Sequence, residues 1–214
     1  IRKICSNFKF LGLTATASLN VLKDIRVEFN VSENNVVAPL NYSRDELVFH
    51  MLDCTKKDVK NVLLNKIKEI DKEDNFLEPH ETDAKCGIIF TGKVNGKDGS
   101  YSLSNELSKE LKKPVKYYAG GAPKVDKQEI MTSKEFQLYK KEVQNDFKSN
   151  KFRLLVSTKA FGMGINKGNI HYTFHYGIPP SMESLYQEAG RAGRDKVKFQ
   201  CEKAQCFVLF SKST

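Results

Sequence analysis

Gly87-Ile88-Ile89-Phe90-Thr91-Gly92-Lys93 is the stretch on which the reading of the fold turns. Its first four residues carry no polar side chain, so no polar residue alternates with the apolar ones and neither face of a strand built from them would suit water. A short apolar run of this kind, closed by a Thr-Gly break, reads as a strand buried on both faces. Working outward, residues 10–14, 46–51, 115–118, 152–156, 170–176 and 207–210 read as further strands. Between them, apolar residues recur at helical spacing. One set is Leu19, Leu22, Ile25 and Phe29 behind a Thr16 or Ser18 cap, and another is Val59, Val62, Leu63, Ile67 and Ile70 behind Thr55. Leu103, Leu107 and Leu111 mark a third helix, Phe136, Tyr139, Val143 and Phe147 a fourth, and a short fifth covers 181–190 behind Pro179-Pro180. Strands alternating with helices predict an α/β fold, a parallel sheet with right-handed crossovers and helices on both faces. Ligands of such sheets gather at the loops leaving the carboxyl ends of strands. That rule selects Thr91-Gly92-Lys93, Ser157-Thr158-Lys159 and the loop after Tyr176. Polar, lysine-rich segments at 71–85, 94–100, 122–133 and 196–205 are expected to be surface insertions without chemistry, the first of them a loop or disordered.

The chain has 214 residues, 40% of them hydrophobic and 29% charged, enough for one large globular domain or a domain plus part of a neighbour. No apolar run is long enough to cross a membrane as a helix, and the first residues lack the continuous apolar stretch of a signal peptide. The chain begins on Ile1, which leads us to expect a piece of a longer protein. A net charge of +9 suits polyanionic partners as well as it suits a solvated lysine-rich surface. Five cysteines at scattered spacings do not form a zinc-binding pattern, so zinc is not expected and most are read as buried or free thiols.

Only six of the thirty-five basic residues are arginine, and two of those lie three apart in Gln187-Glu188-Ala189-Gly190-Arg191-Ala192-Gly193-Arg194-Asp195. Guanidinium groups bind phosphate oxygens in bidentate fashion, and the two glycines remove the side-chain bulk that would keep an anion away. A helix C-terminus with an arginine and a capping glycine would account for one of each; it leaves the doubled Gly-Arg pattern unexplained.

This segment resembles the sixth motif of superfamily-two helicases, and more closely that of the RecQ-like helicases. Further resemblances follow in the family's order. Leu13-Thr14-Ala15-Thr16-Ala17 is similar to the third motif, Gly87-Ile88-Ile89-Phe90 to the fourth, and Tyr117-Tyr118-Ala119-Gly120 to its Y-H-A-G segment. The run from Leu155 to Lys167, with Ala160-Phe161-Gly162-Met163-Gly164-Ile165-Asn166-Lys167 at its end, is similar to the fifth, and His175-Tyr176-Gly177-Ile178-Pro179 to the link before the sixth. The chain departs from the family pattern at Thr91-Gly92, where a Cys is usual, and at Tyr118, where a His is usual.

The resemblance implies a RecA-like sheet of the P-loop NTPase type. It implies that residues 1–35 end a first RecA-like domain and that 36–214 form the helicase C-terminal, second RecA-like domain. It assigns Arg191 and Arg194 to the ATP phosphates, one as an arginine finger, Gln187 to coupling of nucleotide state with domain closure, and Gly164 and Asn166 to the nucleotide cleft. Thr91, Gly92 and Thr158 are assigned to the DNA backbone, and Thr14 and Thr16 to communication between the ATP site and DNA. The implied activity is ATP-dependent unwinding of DNA, 3′ to 5′, in repair, recombination or replication, in the nucleus of a eukaryote or the cytoplasm of a bacterium. The implied partners are single-stranded DNA and duplex junctions, ATP with Mg²⁺, and a first motor domain in cis. No G-x-x-x-x-G-K-[ST] loop and no D-E-x-H segment occur in the chain, so by itself it is expected to hydrolyse no ATP. An RNA helicase of the same superfamily and a non-catalytic nucleic-acid-binding module are the competing readings.

Overall fold

A computed structural model describes residues 11–13, 19–38, 43–78, 84–126, 128–162 and 166–211. The chain divides into two compact units, Ile1–Tyr42 and Ser43–Thr214. In the first, α1 (Leu19–Phe29) forms as its apolar spacing predicts, and a 3₁₀ turn, Glu33–Asn35, follows. Arg26 pairs with Glu33 across that turn at 3.5 Å. Leu11–Leu13, the described part of the strand expected at 10–14, has no regular structure, and the cap expected at Thr16 or Ser18 lies outside the described residues.

Among its described residues, the second unit has a six-stranded sheet and four α-helices. The strands are β1 (Leu47–Asp53), β2 (Cys86–Phe90), β3 (Val115–Tyr118), β6 (Leu154–Ser157), β7 (Ile170–Tyr176) and β8 (Ala204–Phe210). A small antiparallel pair, β4 (Lys124–Val125) and β5 (Gln128–Glu129), stands apart. The main sheet runs β1-β8-β7-β2-β6-β3, and every pairing in it is parallel. The expected α/β fold with helices on both faces is borne out. Helices α2 (Val59–Asp74) and α3 (Ser100–Leu111) supply Leu63, Ile67, Ile70, Leu103 and Leu107 to one face, against Ile89, Leu154, Val156 and Phe174. On the other face, Val143 and Phe147 of α4 (Ser133–Lys148) and Ala189 of α5 (Met182–Ala189) pack on Cys86, Ile88, Phe90 and Leu155. Alternate residues of β2 and β6 thus enter opposite cores, as the period of a strand requires. Both strands are buried at every position, as the apolar run at 87–90 predicts. A one-residue shift in the β2–β7 register, where Cys86 pairs with Ile170 and Gly87 with Tyr172, lets Ile170 and Tyr172 face opposite cores although they are two apart.

Two of the segments read as surface insertions contribute to the core. Helix α2 runs on through Asp74, and Asn75 then takes a left-handed conformation that ends it. The Asp71 carboxylate accepts the Leu77 amide at 2.8 Å and turns the chain back. Phe76 and Leu77 are thereby buried, and the Phe76 ring meets that of Tyr172 at 5.0 Å beside Gly87. Near the C-terminus, Asp195 accepts the amides of Val197 and Lys198 and sets up a 3₁₀ turn that buries Phe199, and β8 starts at Ala204 rather than at Phe207. At the start of α2, Thr55 donates to Asp58 in a preceding turn, which delays the helix to Val59.

The buried side chain of Phe76 generates a test of this reassignment. Phe76→Ala should cost about 3–5 kcal/mol of stability, seen as a lower midpoint of denaturant unfolding. A surface loop would leave that midpoint unchanged.

Candidate functional site

Helix α5 begins at Ser181, whose hydroxyl accepts the Ser184 amide at 3.1 Å, and ends where Gly190 begins a tight turn. A Cβ at Gly190 would lie 2.7 Å from the Tyr186 carbonyl oxygen. Three residues on, Gly193 has φ +65°, and a Cβ there would also press on Glu46 and Leu47 at 3.1 and 3.3 Å. The two glycines are therefore demanded by the backbone, which reverses between them and projects Arg191 and Arg194 from a single turn. Arg194 is held by bonds that include one from Nε to the Gly190 carbonyl (3.1 Å) and one from a terminal nitrogen to Asn166 Oδ1 (3.4 Å). The structure thus brings together Arg191, Arg194 and Asn166, three residues that the sequence selects.

Both arginines are half-buried. Burial first, and then the neighbouring charge of Arg194, pull the Arg191 pKa below the ordinary arginine range, while Glu188 opposes the shift. Arg194 is pulled down by burial and by the charge of Arg44. A guanidinium remains protonated even so. The consequence is electrostatic: like charges held close in a partly desolvated place favour an anion between them. The donors here are cationic nitrogens, which fit a polyphosphate and would repel Mg²⁺. Among the described residues, no group of three or more His, Cys, Asp or Glu side chains could hold a metal ion.

Arg44 belongs to this site and has no sequence signal of its own. Its terminal nitrogen donates to the carbonyls of Ala192 (3.3 Å) and Gly193 (3.1 Å), and its Nε donates to Glu46 Oε2 (3.2 Å). The Glu46 carbonyl in turn accepts the Ala204 amide, at the first pairing of β1 with β8. His175 is a second such residue. It is buried at the end of β7, stacks on Phe90 with ring centroids 5.5 Å apart, and places Nδ1 2.9 Å from Glu188 Oε2.

The loops after β2, β3 and β6 form a separate rim. The Thr91 amide donates to the Ser157 carbonyl (2.8 Å), and the Thr158 amide donates to the Tyr118 carbonyl (3.2 Å), so three neighbouring strand ends are tied together. Gly92 is exposed, with open space around its Cα. The Thr91 hydroxyl is buried and donates to the Lys93 carbonyl (3.0 Å), so at this loop the exposed backbone of Gly92 faces solvent, not the threonine side chain. The Thr158 hydroxyl accepts the Ala160 amide at 3.4 Å and caps the 3₁₀ turn Lys159–Gly162. A narrow crevice lined by Phe90, Lys159, Ser184, Gln187, Glu188 and Arg191 runs between this rim and α5. Gln187 lies on its wall and is exposed. Thr14, Thr16 and Gly164 lie outside the described residues. Lys167, the last residue of the fifth-motif run, turns inward. Its ammonium bonds to Asn150 and to the Lys148 carbonyl and lies over the Phe147 ring, so it fastens the end of α4.

Comparison with known proteins agrees with this geometry. The helicase conserved C-terminal domain family matches residues 65–196. The chain is 30% identical over 203 residues to the ATP-dependent DNA helicase RecQ of Bacillus subtilis, covering 94% of this chain and 28% of that protein. It is 29% identical over 211 residues to the RecQ-like DNA helicase BLM of Xenopus laevis, covering 99% of this chain and 13% of that one. The chain thus spans less than a third of the length of either relative. Among solved structures, S. cerevisiae Dbp5 bound to RNA and ADP BeF3 superposes with a TM-score of 0.64 at 16% identity, over 94% of this chain and 44% of that one. That likeness establishes the fold as RecA-like. The family match covers more than half of the sequence and includes the Gly190–Arg194 turn, and it bears out the resemblance read from the motifs: this chain belongs to the helicase conserved C-terminal domain family and is RecQ-like within it.

Proposed function

We propose that the chain is the second motor domain of an ATP-dependent DNA helicase, with residues 1–35 closing a first motor domain and 36–214 forming the second. The observation that carries this reading is the turn at 190–194. It presents two half-buried guanidinium groups, with Arg194 braced at both ends and glycines where bulk would obstruct an anion. ATP with Mg²⁺ would be held mainly by the first motor domain, and closure of the two lobes would bring Arg191 and Arg194 to the γ-phosphate. There they would stabilise the charge that develops as the phosphoryl group leaves. Asn166 would keep Arg194 aligned, and Gln187, on the crevice wall, would sense the closed state. Thr158 and the backbone at Thr91-Gly92 would hold DNA phosphates on the rim, contacts that position a strand without reading its sequence. Repeated closure would move one strand past the domain, 3′ to 5′ by analogy with the family. The 3′-to-5′ direction, a role in repair, recombination or replication, and a nuclear site in a eukaryote are parts of the same proposal.

Three measurements test it. DNA-stimulated ATP hydrolysis by the complete protein should fall about a thousandfold in Arg194→Ala, the usual effect of losing an arginine finger. The KM for ATP should change much less, because the contact strengthens in the transition state. Full turnover in the variant would refute the assignment. Comparing unwinding of DNA and RNA duplexes by the same preparation separates this proposal from an RNA helicase. For the rim, Thr158→Ala should weaken single-stranded DNA binding about tenfold, the worth of one hydrogen bond to a charged oxygen. Its salt dependence should not change, since no cation is removed. Unchanged affinity would place the strand elsewhere.

A further inference from the structure

Glu188 lies in the last turn of α5 and Arg191 in the tight turn that follows, where the Arg191 amide donates to the Glu188 carbonyl at 3.1 Å and keeps the two residues close enough for their opposite charges to pair. They line the same crevice. Yet among the ion pairs of the described residues, Glu188 is joined to His175, at 2.9 Å, and none joins it to Arg191. The carboxylate acts on Arg191 through its field only. His175 is placed to do one thing. Its side chain is 1% exposed, its ring lies nearly parallel to Phe90 (16°), and its Nε2 is buried with no partner among the described residues. The bond to Glu188 is therefore the ring's one polar engagement.

We propose that His175 is a positioning residue that holds Glu188 away from Arg191, so that the arginine's charge stays available to an incoming phosphate. This rests on the reading of Arg191 as an ATP-facing residue. Without His175, the carboxylate has a rotamer change between it and a half-buried cation with which it would pair. Arg191 would then be neutralised from within the domain before nucleotide arrives. Phe90 fixes the plane of the imidazole, and the next residue, Thr91, enters the rim loop. One aromatic stack thus supports both the tether and the loop.

The test is a rescue experiment in the complete protein, read as DNA-stimulated ATPase rate. His175→Phe keeps the ring on Phe90 and removes the nitrogen. We expect the kcat to fall about tenfold, with the KM for ATP held within about twofold. Adding Glu188→Gln to that variant should recover most of the loss, because a neutral amide cannot neutralise the arginine's charge. His175→Gln, which retains an N–H donor for Glu188, should stay near the wild-type rate and covers the case in which His175→Phe does not fold. A double variant no faster than His175→Phe alone would overturn the proposal, because damage to packing is not repaired by a second change. So would a normal rate in His175→Phe, or a large loss in His175→Gln. Arg191→Ala separates the layers: if it too turns over normally, the ATP-facing reading fails along with the tether. If Arg191→Ala is impaired and His175→Phe is not, the tether alone fails.

Discussion

The site depends on how closely the turn after α5 is pressed against the start of β1. At Gly193 a left-handed backbone and the absence of a Cβ let the turn lie on Glu46 and Leu47, and the Arg44 guanidinium closes the contact from above by bonding two successive carbonyls. A carbonyl in a reversing turn has no helical partner, so a residue far away in sequence supplies one. Because Arg44 is itself aligned by Glu46, whose backbone opens the β1–β8 ladder, the turn inherits the rigidity of the sheet edge. Arg191 and Arg194 are thus mounted on a rigid element although they lie in a loop, the condition under which charged groups can be aimed at a developing charge with little reorganisation.

Much of this was legible in the sequence, for identifiable reasons. Residues 87–90 read as a doubly buried strand because nothing polar interrupts them, and every position of β2 is buried. The Gly-Arg repeat stood out against a chain with few arginines. Arg44 gave no signal because it lies in a polar segment, 148 residues before the carbonyl it serves. The role of 71–85 was obscured by composition: two apolar residues among many charged ones resemble a surface loop, and the left-handed Asn75 that folds them inward leaves no periodicity. The start of β8 was hidden in a similar way, since Gln205 interrupts the apolar run. Its side chain serves the neighbouring edge strand, bonding to His50 at 2.6 Å. Thr91 shows the complementary limit: its position at a strand end is visible in the sequence, whereas the inward turn of its hydroxyl is not.

Within the unit, several lysines are answered by carboxylates. Lys116 meets Glu142 and Asp146, Lys60 meets Glu106, and Lys113 meets Glu78, partly exposed pairs of the kind that contribute little. Lys167 is buried and is satisfied by neutral oxygens and an aromatic ring. At the crevice, the Glu188 carboxylate that lines it is engaged with the His175 imidazole. The distinction between structural and available positive charge is therefore made by side-chain pairing, which net charge does not reveal.

The strand order also bears on the history of the molecule as it is made. β1 is hydrogen-bonded to β8 alone in the sheet, and the two are some 155 residues apart along the chain. During synthesis from the N-terminus, the segment that carries Arg44 has no partner until nearly all of this unit has emerged from the ribosome. Strands β2, β6 and β3 can assemble beforehand, whereas closing a loop of that length comes late and slowly. An exposed strand edge waiting that long is open to wrong pairings. The arginine turn takes its final form only when that edge closes, so the part of the domain that handles charge is also the last part to be finished.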